Sequence, residues 1–146
     1  MGQVRDIMVR NVITIEHDKT AKDVALLLAQ KEISSLVVIQ DGKPIGLVTE
    51  RDLARKVSTS DRKSENVLLS EIMSHNFRWV EPMTSIEDAI QKMINKNIRR
   101  LLVLENDKLV GIITETDLAK YLRSKLLIDG ALEDTTALNH KVIKKG

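Results

Sequence analysis

Apolar residues in this chain fall into short unbroken runs and into stripes at helical spacing, and the two alternate in a fixed order. Residues 12–15 read as a brief strand. Thr20 follows with Asp23 three residues later, the mark of a capped helix start. Val24, Leu27 and Leu28 then supply the apolar stripe of an amphipathic helix. The run Leu36-Val37-Val38-Ile39 is strand-length and unbroken, which implies burial on both faces. Asp41-Gly42 marks a tight turn into a strand over 45–48, and Thr49 opens a second helix reaching about residue 57. The same order then returns, with strands over 77–80, 100–105 and 109–113 and helices over 85–96 and 114–125.

The return is a duplication. Ile7-Met8 recurs as Ile72-Met73, an offset of 65 (72 − 7), and the offset continues without a gap. Thr20 falls on Ser85, Asp23 on Asp88 and Ile33 on Ile98. Gly46-Leu47-Val48-Thr49-Glu50-Arg51-Asp52-Leu53-Ala54 lies over Gly111-Ile112-Ile113-Thr114-Glu115-Thr116-Asp117-Leu118-Ala119. The chain therefore divides into a first motif (1–60), a polar linker (61–68), a second motif (69–125) and a C-terminal extension (126–146). The extension mixes Asp-Gly, Thr-Thr and a lysine-rich end, and reads as a partly ordered piece, open to swapping onto a partner. One motif of three short strands cannot cover its own sheet. Two packed face to face can, about a pseudo-twofold axis, and any cleft at that axis occurs twice.

Composition narrows the function classes. Hydrophobic residues make up 42% and charged residues 30% of 146, a globular profile. Phe, Trp and Tyr occur once each, so aliphatic side chains must build the core. A net charge of +2 with so few aromatics speaks against nucleic acid as a partner. The absence of cysteine removes disulfides, thiol nucleophiles and cysteine-based zinc sites. His17, His75 and His140 are scattered, so no metal site is expected. No apolar run approaches the roughly 18–20 residues of a membrane span. The start lacks the apolar core of a secretion signal, and Asp6 spoils a myristoylation motif. A cytoplasmic location is the expectation. No phosphate loop, dinucleotide fingerprint or nucleophile elbow is present, and no enzyme activity is expected.

Strand-helix-strand-strand-helix units ending in Gly-apolar-apolar-Thr-x-x-Asp, each behind Asp6-Ile7-Met8 or Glu71-Ile72-Met73, resemble the CBS-pair (Bateman) family. The resemblance covers about residues 7–121. It implies an α/β fold of tandem CBS motifs, each β-α-β-β-α, packed with pseudo-twofold symmetry. It further implies a regulatory module that requires no cofactor and binds AMP, ADP, ATP or S-adenosylmethionine. The motif Asp would hold the ribose hydroxyls, hydroxyl and basic groups the phosphate, and the first strand of the opposite repeat the base.

Carried onto this chain, the favoured cleft joins Val12, Thr14, Ile33 and Ser34 to Arg99, Arg100, Ile112, Thr114, Thr116 and Asp117. The symmetric cleft joins Phe77, Trp79, Ile98 and Arg99 to Ser34, Ser35, Leu47, Thr49, Arg51 and Asp52. The second has serines in place of the arginine pair and Trp79 where the base would lie, as platform or as plug. The chemistry supports the first: a carboxylate accepts from both hydroxyls of a diol, and arginine makes charge-assisted bonds to phosphate. Thr49-x-x-Asp52 and Thr114-x-x-Asp117 are equally capping boxes, which need no ligand. The apolar faces Leu53-Ala54-Val57 and Leu118-Ala119-Leu122 suggest a homodimer through the helices ending each repeat, as the family commonly forms, beside an unknown regulated protein. The alternatives are a ligand-free dimeric interaction scaffold, a nucleic-acid binder and a nucleotide hydrolase.

Overall fold

The computed structural model describes residues 2–128. The first repeat lays down β1 (Thr14–Glu16), α1 (Ala21–Lys31), β2 (Ser35–Gln40), β3 (Lys43–Thr49) and α2 (Glu50–Lys56). A single helical turn, α3 (Leu69–Ile72), precedes the second set: β4 (Trp79–Val80), α4 (Ile86–Lys96), β5 (Arg100–Glu105), β6 (Lys108–Thr114) and α5 (Glu115–Ile128). Each repeat forms one three-stranded sheet, ordered β1-β2-β3 or β4-β5-β6, with its first pair parallel and its second antiparallel. The expected α/β architecture of two β-α-β-β-α units is thus present. Among the described residues no helix is long and apolar enough to cross a membrane.

The helices begin where the sequence places their caps. The Thr20 hydroxyl accepts from the Asp23 amide at 3.3 Å, and the Asp23 carboxylate accepts from the Thr20 amide at 2.9 Å. The Ser85 hydroxyl starts α4 in the same way, accepting from the Asp88 amide at 3.1 Å. Each helix buries one stripe, Ala21, Val24 and Leu28 on α1 and Ile86, Ala89 and Met93 on α4.

The two cores exchange their lead-in segments. Val67, Leu69, Ile72 and Met73, which lead into the second repeat, are buried in the core of the first. Val4 and Met8, at the start of the chain, are buried in the core of the second. Backbone bonds fasten both crossings. Val9 and Ile112 exchange bonds of 2.9 and 3.0 Å, and Leu47 and Ser74 exchange bonds of 2.9 and 2.8 Å. The Ala21 amide donates to the Val67 carbonyl at 2.8 Å, and the Ile86 amide to the Gly2 carbonyl at 3.1 Å. A third cluster, Val37, Leu102 and Leu104 with Phe77, Leu47 and Ile112 around it, joins the two sheets.

Some element limits differ from the sequence expectation. The first strands start at Thr14 and Trp79, two residues later than expected, although the Ile13 and Arg78 carbonyls still accept from the Val37 and Leu102 amides at 3.3 and 3.0 Å. The polar linker ends in structure: residues 64–66 form a short 3-10 turn and Val67 is core. Of the extension, residues 126–128 continue α5, while 129–146, with the swapping proposed for them, lie outside the described residues.

The crossings also dictate the motif glycines. A Cβ on Gly111 would stand 2.6 Å from the Met8 sulfur and 3.1 Å from the Val9 carbonyl oxygen. On Gly46 it would stand 2.8 Å from the Ser74 carbonyl oxygen. Gly46→Ala and Gly111→Ala are each expected to lower stability by about 1–3 kcal/mol through overpacking, read from urea denaturation midpoints. A loss under about 0.5 kcal/mol would show that the crossing yields easily.

The α1 cap carries a pH signature. Hydrogen bonds from the Thr20 backbone amide and then its hydroxyl hold the Asp23 carboxyl below its ordinary value near 3.8. A carboxylate depressed in the folded state stabilises above its unfolded pKa, and this contribution fades as pH falls through the folded value. The gap in melting temperature between the natural chain and Asp23→Ala is expected to be widest near pH 7 and to narrow below about pH 4.

Candidate functional site

The junction of β6 with α5 supplies one wall of the candidate site. Thr114 ends β6 and caps α5: its hydroxyl accepts from the Asp117 amide at 3.2 Å and donates to the Asp117 carboxylate at 2.9 Å. The same carboxylate oxygen, Oδ2, accepts from the Thr114 amide at 2.9 Å. The Glu115 amide donates to the Arg99 carbonyl at 2.9 Å, which ties α5 to the start of β5. These bonds leave the Thr116 amide as the first-turn donor without an acceptor among the described residues. The positive end of a fourteen-residue helix therefore opens at Thr116.

Across from this wall stand residues of the first repeat. A cleft of about 880 Å³ is lined by Val12, Ile33 and Ser34 on one side and Ile112, Thr114 and Thr116 on the other. A smaller recess of about 290 Å³ shares Ser34, Ser35, Thr114 and Thr116 and adds Arg99, Arg100 and Glu115. Sheet register holds Arg100 opposite Thr114, as it holds Ser35 opposite Thr49 in the first repeat. Arg99 faces Glu115 at 3.9 Å, with both side chains more than two-thirds exposed, a pair worth little in water. Neither arginine is committed to a buried partner, so both can meet an anion.

Two residues of the favoured set line neither cavity. Thr14 sits in β1 opposite Val37, and Asp117 turns one carboxylate oxygen into the cap of its own helix. Other residues complete the wall: Val9, Asn11, Ile13, Glu32, Glu50 and Lys120 all border the large cleft. Lys120 was legible, since it lies one turn beyond Thr116 on the same helix face. Val9, Asn11 and Ile13 were not, because nothing local marks the segment before β1 as crossing to the other repeat.

The second set of residues is dispersed. Leu47 and Phe77 pack in the cluster between the sheets. Trp79 is 44% exposed at the outer edge of β4, with the Lys92 ammonium 5.9 Å from its ring centre. Ile98 and Arg99 line a groove between α4 and α5. Ser34 and Ser35 border the axial recess. Thr49 and Asp52 form the α2 cap, with Arg51 exposed between them.

The two motif carboxylates differ in what occupies their outer oxygen. Asp52 Oδ1 lies 3.5 Å from the Lys56 ammonium, which also donates to the Ile72 carbonyl at 2.9 Å. At the matching position α5 carries Tyr121, whose hydroxyl accepts instead from the Gly2 amide at 3.2 Å. Asp117 has no such cation from its own helix, and its outer oxygen is the better placed to accept from a ligand.

Comparison with known proteins places this arrangement. The family model described as the CBS domain matches residues 4–59 and again 69–124. The CBS domain-containing protein YhcV of Bacillus subtilis is 34% identical over 119 residues, 82% of this chain and 84% of that protein. An uncharacterised protein of Methanopyrus kandleri is 36% identical over 117 residues, 79% of this chain, which spans only 60% of that protein's length. Among solved structures, the CBS domain pair of protein MJ0100, in complex with 5′-methylthioadenosine and S-adenosyl-L-methionine, aligns with a TM-score of 0.74. It covers 86% of this chain and 98% of its own at 24% identity, which speaks to the fold alone. With two matched copies, crossed lead-in segments and the paired sheets they hold together, this chain belongs to the CBS domain family as a tandem pair.

Proposed function

We propose that the chain is a non-catalytic regulatory module whose larger inter-repeat cleft binds an adenosine-containing ligand of the AMP, ADP, ATP or S-adenosylmethionine class. The observation that carries this reading is one cavity walled by both repeats. Apolar residues Val12, Ile33 and Ile112 offer surfaces to a base, and the Thr114–Thr116 turn offers the Thr114 hydroxyl as an acceptor and the Thr116 hydroxyl and amide as donors. The axial recess with Arg99 and Arg100 opens beside those hydroxyls, where a phosphate on the ribose would lie. The MJ0100 pair supports the reading in kind, since the same fold holds adenosine compounds there. A ligand held by both walls favours whichever arrangement of the repeats closes on it, and that preference sets the size of the signal passed to a partner.

The test is a thermal-shift screen with AMP, ADP, ATP, S-adenosylmethionine and 5′-methylthioadenosine on protein freed of co-purified nucleotide. A ligand at 100 times its dissociation constant is expected to stabilise by about 2.7 kcal/mol. Asp117→Asn keeps an acceptor for the Thr114 amide but loses the carboxylate. Its unliganded melting temperature is expected to stay close to that of the natural chain while affinity falls about tenfold or more. No shift with any compound would leave a ligand-free interaction scaffold. An unchanged affinity in Asp117→Asn would move the ribose away from α5.

Arg100→Ala separates ligands by charge. Loss of one charge-assisted bond is expected to weaken AMP and ATP by about tenfold or more while 5′-methylthioadenosine, which lacks phosphate, is held as before. Isothermal titration with the three compounds checks this, and equal losses for all three would place the phosphate elsewhere.

A further inference from the structure

The segment before β1 borders the larger cleft and is held at both ends. Val9 exchanges backbone bonds of 2.9 and 3.0 Å with Ile112 of the second repeat, and the Ile13 carbonyl accepts from the Val37 amide of the first at 3.3 Å. Asn11 stands midway along this span and borders the cleft beside Val12, one of the apolar residues offered to a base. With the chain fixed two residues to either side, the backbone at Asn11 is set before any ligand arrives. Its side chain is exposed, and its carboxamide makes no hydrogen bond among the described residues. Asparagine in a loop commonly turns its oxygen onto a backbone amide close by, and no such bond forms here.

The duplication supplies a direct comparison. At the repeat offset of 65 (76 − 11) the counterpart of Asn11 is Asn76, the same residue type. Asn76 is committed. Its Oδ1 accepts from the Arg78 guanidinium at 3.0 Å, and the same guanidinium nitrogen donates to the Phe77 carbonyl at 3.1 Å. Asn76 does not border the larger cleft. Where the second repeat has Arg78 the first has Ile13, whose side chain carries no donor. The first repeat thus keeps the carboxamide, lacks the arginine that would occupy it, and is the copy that places it at the cleft.

We infer that Asn11 selects the base: its carboxamide oxygen accepts from the 6-amino group of adenine while its NH2 donates to a neighbouring ring nitrogen. On that edge adenine offers a donor beside an acceptor, the complement of a carboxamide, and a bidentate pair of this kind is how asparagine reads adenine in nucleic acids. The inference rests on the adenosine reading of this cleft and deepens it. The groups around Thr114 and Arg100 address ribose and phosphate, which nucleotides share, whereas Asn11 meets the part in which they differ.

Isothermal titration with AMP and with purine riboside 5′-monophosphate, which lacks only the 6-amino group, tests it on nucleotide-free protein. The natural chain is expected to prefer AMP by about tenfold or more, and Asn11→Ala to bind the two within about twofold of each other. Because Asn11 is exposed and unbonded, the variant's unliganded melting temperature is expected within about 2 °C of the natural chain's. Asn76→Ala is the matched control and is expected to keep the preference. Equal binding of the two compounds by the natural chain, or a preference that survives Asn11→Ala, overturns the inference and leaves the adenosine reading in place. A preference lost in Asn76→Ala instead does the same. Failure of AMP to bind the natural chain overturns it as well, and the thermal-shift screen then separates the two failures. With no shift from any adenosine compound the adenosine reading falls too, whereas a shift from S-adenosylmethionine leaves that reading standing.

Discussion

The exchange of lead-in segments is the constraint on which the other features rest. Each repeat alone has three strands and two helices, too little to close a core. Each core is completed by a turn borrowed from the chain ahead of the opposite repeat: Val4 and Met8 for the second, Leu69, Ile72 and Met73 for the first. Neither half can therefore fold to completion without the other, and the crossings hold the two sheets against the shared cluster of Val37, Leu102 and Leu104. The motif glycines follow directly, since Gly46 and Gly111 lie where Met73 and Met8 cross the third strand of each sheet. A tandem pair built this way is one cooperative unit, and the cleft between its halves is as rigid as the crossings that frame it.

Much of this was legible in the sequence, and the reasons are local. Helix starts at Thr20 and Ser85 were readable because a capping hydroxyl and its acidic partner sit three residues apart. The strands 36–39 and 100–105 were readable because runs buried on both faces are unbrokenly apolar. The repeat offset then carried each assignment from one half to the other. What was not legible is long-range. Residues 9–13 look like the start of a strand, yet Val9 pairs with Ile112 more than a hundred residues away. Val67 closes a polar stretch and still belongs to a core, because its partner on α1 lies in the other direction along the chain. Periodicity reports which side of an element is buried, and says nothing of which neighbour buries it.

The same limit shaped the site. Pairing Val12, Ile33 and Ser34 with Ile112, Thr114 and Thr116 needed only the pseudo-twofold axis, and these six do line one cleft. The duplication alone would suggest two equivalent clefts, but the substitutions around the axis break the equivalence. Ser34-Ser35 stands against Arg99-Arg100, so basic charge collects on one side of the axial recess. Lys56 stands against Tyr121, so Asp52 is engaged by a cation of its own helix where Asp117 is not. Asp117, read from the sequence both as a ligand contact and as a capping partner, does cap its helix through Oδ2, as a carboxylate beside free helix amides will. Only Oδ2 is used in that role, and a cap and a ribose contact can coexist on one carboxylate because its two oxygens offer about four lone-pair sites.

α5 is the element through which these features meet. Thr116 and Lys120 face the cleft, Leu118 enters the core, Tyr121 is tied to Gly2 in the borrowed segment, and Leu122 lines the outer groove. Successive turns of a single helix therefore touch the candidate ligand site, the crossing that closes the second repeat, and the exposed apolar face. Spatial adjacency of this kind is not yet coupling. It becomes coupling to the extent that a ligand prefers one position of α5 over another, and the helix cannot shift at its first turn without moving Leu122 as well. The first repeat has less of this arrangement, because α2 ends at Lys56 and presents no continuing stripe beyond it. A signal leaving the molecule by a helix would thus leave from the second repeat, the same half that gathers the arginines and the carboxylate whose outer oxygen no cation of its own helix engages.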